Sequence, residues 1–272
     1  MKKEFYPALG TPTSPEGNLE KDSFYRQIEL MIDSGAKGLL CMGSMGKMIA
    51  IKDCEYQAIA AQCCNMTNNR IPVMVGVMDC SIGRVLDRID ALGSLPIEGV
   101  VATVPYYFAL NSNEIVHFFQ LLARSSKYPV YIYDLPGVTQ TPITFSQLKS
   151  LISEPNIKGI KTANLSLIQE SYRTGLFDGR SSFSVYCSNL DLFDVALKSG
   201  ISKNLDGMFT CTPYNSKMMY DENNGEQFVC ESLHNILRLR NLFVKENVFS
   251  AYTYAMELLD CKGLYYPDYG LP

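Results

Sequence analysis

The chain has 272 residues, 47% of them hydrophobic and 19% charged, with a formal net charge of −4. That is enough length to bury a large core, and the apolar fraction is far too high for a disordered chain. No run approaches the roughly 18 uninterrupted apolar residues of a membrane-spanning helix, and scattered Lys and Arg under a negative net charge give no nucleic-acid footprint. Met1-Lys2-Lys3-Glu4 leads straight into a strand-like stretch without an apolar leader core, so a cytoplasmic location is expected rather than export. The nine cysteines are odd in number and dispersed, apart from the adjacent Cys63 and Cys64. They read as reduced thiols packed as small hydrophobes. There is no CxxC pair, and His117 and His234 are far apart, so neither a metal site nor a Cys–His nucleophile is expected.

In chain order, β-branched apolar runs at Phe5–Leu9, Gly38–Met42, Ile71–Val77, Gly99–Val104, Pro129–Tyr133, Ile157–Lys161, Phe183–Tyr186 and Gly207–Thr210 predict eight strands. Between them lie segments of helical period, such as Phe24, Ile28, Met31 and Ile32, or Ile115, Phe118, Phe119 and Leu122. Eight strands alternating with helices predict an α/β fold of the (β/α)₈ TIM-barrel type over residues 1–213. Glu226–Phe243 and Val248–Leu259 predict two further helices in a small appendage over residues 214–272. A doubly wound nucleotide fold is disfavoured, because neither a P-loop nor G-x-G-x-x-G follows the first strand.

Catalytic residues of such a barrel come from the carboxyl ends of its strands. Lys161 closes the run Ile157-Lys158-Gly159-Ile160-Lys161, where desolvation favours the free amine that a Schiff-base nucleophile needs. On its own, the same residue also reads as a lysine reaching out to solvent. Tyr133 ends Val130-Tyr131-Ile132-Tyr133, sharing a strand face with Tyr131 opposite Ile132. It reads either as a packing aromatic or as a phenol that shuttles a proton. Gly43-Ser44-Met45-Gly46 precedes a helix and offers backbone N–H groups and a hydroxyl to a carboxylate, or forms an ordinary turn.

Taken together, GSMG after the second strand, VPYY after the fourth, YDLP after the fifth and GIKT after the sixth resemble one family. It is the dihydrodipicolinate synthase / N-acetylneuraminate lyase superfamily of pyruvate-dependent class I aldolases. The likeness runs from Tyr6-Pro7-Ala8 to the closing helices and includes Leu205-Asp206-Gly207-Met208-Phe209-Thr210. The resemblance implies that Lys161 forms a Schiff base with pyruvate and that Tyr133 relays protons. It also implies that Ser44 and the Met45 amide grip the carboxylate. The backbone carbonyl of Phe209 would face the pyruvate-derived group. Tyr107 would enter a neighbouring subunit and complete a hydroxyl relay with Ser44. No metal or organic cofactor is implied, and the partners expected are pyruvate, an aldehyde, and further copies of the chain in a dimer or tetramer.

Departures from the family pattern narrow the expected substrate. Val138 stands where synthases that use aspartate semialdehyde carry a carboxylate-binding arginine. Losing that bidentate clamp favours a sugar or sugar-acid aldehyde over the lysine-pathway substrate. Asp191 is the one acid kept where sialic acid lyases use an acidic pair to read sugar hydroxyls. Met45 replaces a hydroxyl residue, Lys47 a glutamate and Asp134 an asparagine. A barrel that binds an oxo acid without turnover is the reading of a different class.

Overall fold

Parallel strands and covering helices alternate along the whole barrel. The computed structural model describes residues 2–267 and 270. The strands are β1 (Glu4–Pro7), β2 (Leu39–Cys41), β3 (Val73–Gly76), β4 (Gly99–Ala102), β5 (Val130–Asp134), β6 (Ile157–Thr162), β7 (Ser184–Cys187) and β8 (Lys203–Asp206). They form one sheet in the order β1-β8-β7-β6-β5-β4-β3-β2. Its two edges meet where Ala8 pairs with Leu40 and the Leu9 N–H donates to the Leu40 carbonyl at 2.9 Å. The result is a (β/α)₈ barrel with helices Glu226–Lys245 and Val248–Leu258 appended after it. Among the described residues no helix is long and apolar enough to cross a membrane. All nine cysteines are free thiols, six of them buried.

The amino end of the barrel is closed by aromatic rings. Tyr6 meets Tyr186 edge-on at 4.8 Å between centroids, and Tyr131 meets Tyr186 at 6.1 Å. Two glycines make room for the Tyr131 ring: a Cβ on Gly99 would lie 2.7 Å from it, and one on Gly159 likewise 2.7 Å. Lys203 lies over the rings of Tyr6 and Tyr186 and donates to the Ser184 hydroxyl at 2.9 Å. With this end filled, the polar strand exits open only at the carboxyl end.

One strand lies elsewhere than the sequence predicts. The eighth is Lys203–Asp206, and the expected segment Gly207–Thr210 turns instead into a short helix, Met208–Cys211. Lys-Asn-Leu-Asp conceals a strand because three of its four residues are polar, and they are taken up in the barrel wall. Lys203 is taken up by the aromatic closure, and Asn204 accepts the Tyr220 hydroxyl at 2.6 Å. Register with β1 pairs Phe5 with Asn204 and Pro7 with Asp206.

Candidate active site

Strands β5 and β6 are direct neighbours, and their register sets Tyr133 against Lys161. Both side chains are buried at the open end of the barrel. Lys161 Nζ stands 3.6 Å from the centroid of the Tyr133 ring, an ammonium over an aromatic face. Among the described residues no hydrogen bond or ion pair engages that ammonium or the Tyr133 hydroxyl. An amine so held keeps its lone pair, once deprotonated, free for an incoming carbonyl. Asp134, next along β5, points to the opposite face. It accepts the Thr162 hydroxyl at 2.7 Å and the Ile143 N–H at 3.0 Å, bracing the ends of β5 and β6 together. This is what the residue in the usual asparagine position does here.

The turn after β2 carries Ser44 and Met45. The Lys47 N–H closes it onto the Ser44 carbonyl at 3.0 Å, and the Thr11 hydroxyl donates to the Gly46 carbonyl at 2.9 Å. Only glycine fits at position 46, since a Cβ there would come within 2.8 Å of the Met42 backbone. Ser44 is exposed at the mouth, while the Met45 side chain lies against Gly207 at the β8 exit. A cleft beside this turn is lined by Ser44, Thr103, Tyr106, Val138, Phe249 and Pro267. Tyr106, rather than Tyr107, therefore lines the cleft. Tyr107 and Phe108 stand 77% and 73% exposed on the single chain, with their rings edge to face.

The β7 and β8 side of the mouth is charged. Asp191, in a single turn after β7, takes both terminal nitrogens of Arg240 at 2.5 and 3.1 Å, a bidentate pair. Asp206 ends β8 and accepts the Met208 N–H at 2.8 Å. Burial is the largest influence on Asp206 and holds its carboxyl above the ordinary range. The charges of Lys161 and Arg240 and the Met208 N–H oppose that rise, while Asp191 adds to it. Phe209 is fully buried with its ring against Phe5, Phe193 and Tyr220, and its carbonyl accepts from the Thr212 N–H and the Ser216 hydroxyl. Sequence reasoning missed Arg240 and Thr103 as residues of the mouth, whereas Tyr106 and Asp206 were placed at strand exits without a role. The first lies on the appendage helix, where only helical spacing is legible.

The model of the Dihydrodipicolinate synthetase family matches residues 1–267. The chain belongs to this family. A 4-hydroxy-tetrahydrodipicolinate synthase from Stenotrophomonas maltophilia is 31% identical over 159 residues, covering 57% of this chain and 52% of that protein. In that match, as in the other synthase matches of this length, the chain spans about half the length of the curated relative. A probable 2-dehydro-3-deoxy-D-pentonate aldolase, YjhH from Escherichia coli K12, is 26% identical over 98% of this chain and 89% of its own. The crystal structure of the E. coli K12 family member YagE in complex with pyruvate superposes with a TM-score of 0.88 at 20% identity, over 99% of this chain and 93% of that one, which shows the shared fold.

The mouth of this barrel holds carboxylates whose charge is costly. Burial is also the largest influence on Asp134 and lifts its carboxyl above the ordinary range, against its two hydrogen bonds and the nearby Lys161 charge. A carboxyl raised on folding is penalised in its charged form. That penalty is absent below the unfolded pKa near 4 and grows as the pH climbs through the folded value. Asp206→Asn keeps an acceptor for the Met208 N–H and removes the penalty. It is expected to melt above the wild type at pH 7, with the gap narrowing as the pH falls toward 4. Thermal scans across that range check the sign.

Proposed function

We propose that the protein is a class I lyase that makes or cleaves a carbon–carbon bond between pyruvate and an aldehyde through a Schiff base on Lys161. The observation that carries this reading is the buried Lys161 Nζ, 3.6 Å from the Tyr133 ring centroid and without a hydrogen-bond partner among the described residues. In the synthetic direction the Lys161 amine adds to the 2-oxo carbon, and loss of water gives a protonated imine. That imine takes up the electron pair left when a C3 proton passes to water, forming an enamine. The enamine carbon attacks the aldehyde carbon, and the Tyr133 hydroxyl gives its proton to the new alkoxide. Water then releases the product from the lysine. Cleavage runs through the same steps in reverse. The Ser44 hydroxyl and the N–H groups of its turn receive the pyruvate carboxylate.

For the aldehyde, a sugar or sugar acid fits best. Val138 lines the cleft where a carboxylate-binding arginine would stand, and the bidentate Asp191–Arg240 pair offers a polar surface for hydroxyls and a carboxylate on the other side of the mouth. The pentonate aldolase relative, matched over nearly the full chain, supports this direction. Dihydrodipicolinate synthesis is the second reading, favoured by the names of the synthase relatives. The exposed Tyr107 and Phe108 support a homo-oligomer, a dimer or tetramer, that covers them.

Borohydride reduction in the presence of pyruvate, followed by intact mass and peptide mapping, tests the reading. One reduced pyruvate on Lys161 is expected. Turnover is then compared between sugar-acid aldehydes and aspartate semialdehyde. No adduct on folded protein with pyruvate in excess overturns the proposal and leaves a binding protein or a different oxo acid.

A further inference from the structure

Lys47 departs from the family pattern, and its surroundings give the departure a use. It sits at the end of the turn that carries Ser44, in a left-handed conformation (φ 44°), and is 7% exposed. Its side chain runs away from the turn toward the carboxy-terminal segment. Nζ donates to the Thr13 hydroxyl at 2.7 Å, the Leu264 carbonyl at 2.9 Å and the Tyr266 carbonyl at 3.2 Å. Thr13 and Leu264 are themselves joined as a two-way backbone pair, at 3.1 and 2.8 Å. Next to them the Tyr265 ring is fully buried, edge-on to Tyr252 at 5.3 Å and so close to Gly10 that a Cβ there would fall 2.5 Å from it. The segment Leu264–Pro267 is thus fastened to the carboxyl face of the barrel, and Pro267 forms part of the cleft wall together with Val138 and Phe249.

We propose that Lys47 is a positioning residue that latches this strap to the Ser44 turn, and that the latched strap is the wall admitting the aldehyde while leaving pyruvate capture to the turn itself. The physical reason lies in how the two parts are held. The turn keeps its own shape through the Lys47 N–H to Ser44 bond and the Thr11 to Gly46 bond, neither of which uses the lysine side chain. The strap beyond Tyr265 depends on it, because the Tyr266 carbonyl is held by that ammonium. A buried ammonium without such acceptors would be costly, so lysine and strap stabilise each other's placement. The assignment of aldehyde to the wall and pyruvate to the turn rests on the proposed aldolase reading. The latch itself does not.

The test compares the full-length wild type with Lys47→Met, which keeps the unbranched apolar stem without the charged end, and with Thr13→Val, which removes one acceptor from the other side. Hydrogen–deuterium exchange reads the latch. The peptide covering 264–267 is expected to exchange at least tenfold faster in Lys47→Met and a few-fold faster in Thr13→Val, with the barrel strands unchanged. Unchanged exchange in both variants overturns the latch. Kinetics read the wall. The KM for the aldehyde is expected to rise about tenfold in Lys47→Met, with kcat within threefold and the pyruvate concentration for half-maximal borohydride trapping on Lys161 unaltered. An unaltered aldehyde KM, or trapping that weakens in parallel, overturns the wall. If Lys47→Met does not fold, Thr13→Val carries both readouts. A wild type that never traps pyruvate removes the aldolase reading and with it the wall, while the exchange measurement still decides the latch.

Discussion

Lys161→Met is expected to abolish the reducible pyruvate adduct and to lower carbon–carbon bond turnover by on the order of 10⁴-fold or more, because it removes the amine that forms the imine. The same substitution is expected to leave the melting temperature at or above the wild-type value. The lysine is 7% exposed, and among the described residues it makes no ion pair or hydrogen bond. No hydrogen bond is lost with its ammonium, and the contact with the Tyr133 face is worth only about 1–2 kcal/mol. Methionine fills a similar volume without the charge. Trapping, steady-state rates and a thermal scan on one preparation separate the two effects. An adduct that persists on a different lysine would move the nucleophile elsewhere, and a large loss of melting temperature would make Lys161 a structural residue.

Tyr133→Phe is expected to preserve the adduct and to lower aldol turnover by about 10²–10⁴-fold, the usual scale for loss of a general acid–base group. The ring stays beneath Lys161 Nζ, so the cation–π contact at 3.6 Å and the packing on β5 survive. The hydroxyl has no partner among the described residues, so its removal leaves no buried group unsatisfied and stability is expected to change little. Pyruvate trapping and multiple-turnover rates, measured side by side, check this. Turnover within a few-fold of wild type would reduce Tyr133 to a packing aromatic.

Both residues were legible in the sequence because a strand is a local object. Alternation along Val130–Asp134 sets Tyr133 on the face of Tyr131, and the apolar run ending at Lys161 announces a strand exit. Ser44 was found in the same way, from the turn after a strand, and Val138 through the family resemblance, as a departure from its pattern; both line the cleft. Asp134 could be named as a departure, but its work bracing Thr162 and Ile143 depends on how β5 and β6 align.

What the sequence by itself determined is the alternation of strands and helices, the barrel it implies, and which side chains stand at strand ends, since each follows from periodicity over a few residues; the roles of those side chains came from the resemblance of four motifs to one family. The tertiary structure alone decided the rest. It moved the last strand to Lys203–Asp206, whose polar residues look like a loop until the aromatic closure and Tyr220 take them up. It set Arg240 on Asp191, 49 residues away, and Lys47 on Leu264, 217 residues away. Such pairs carry no local signal: what joins them is closure of the barrel, which brings distant segments to one face and leaves their charges to be satisfied there.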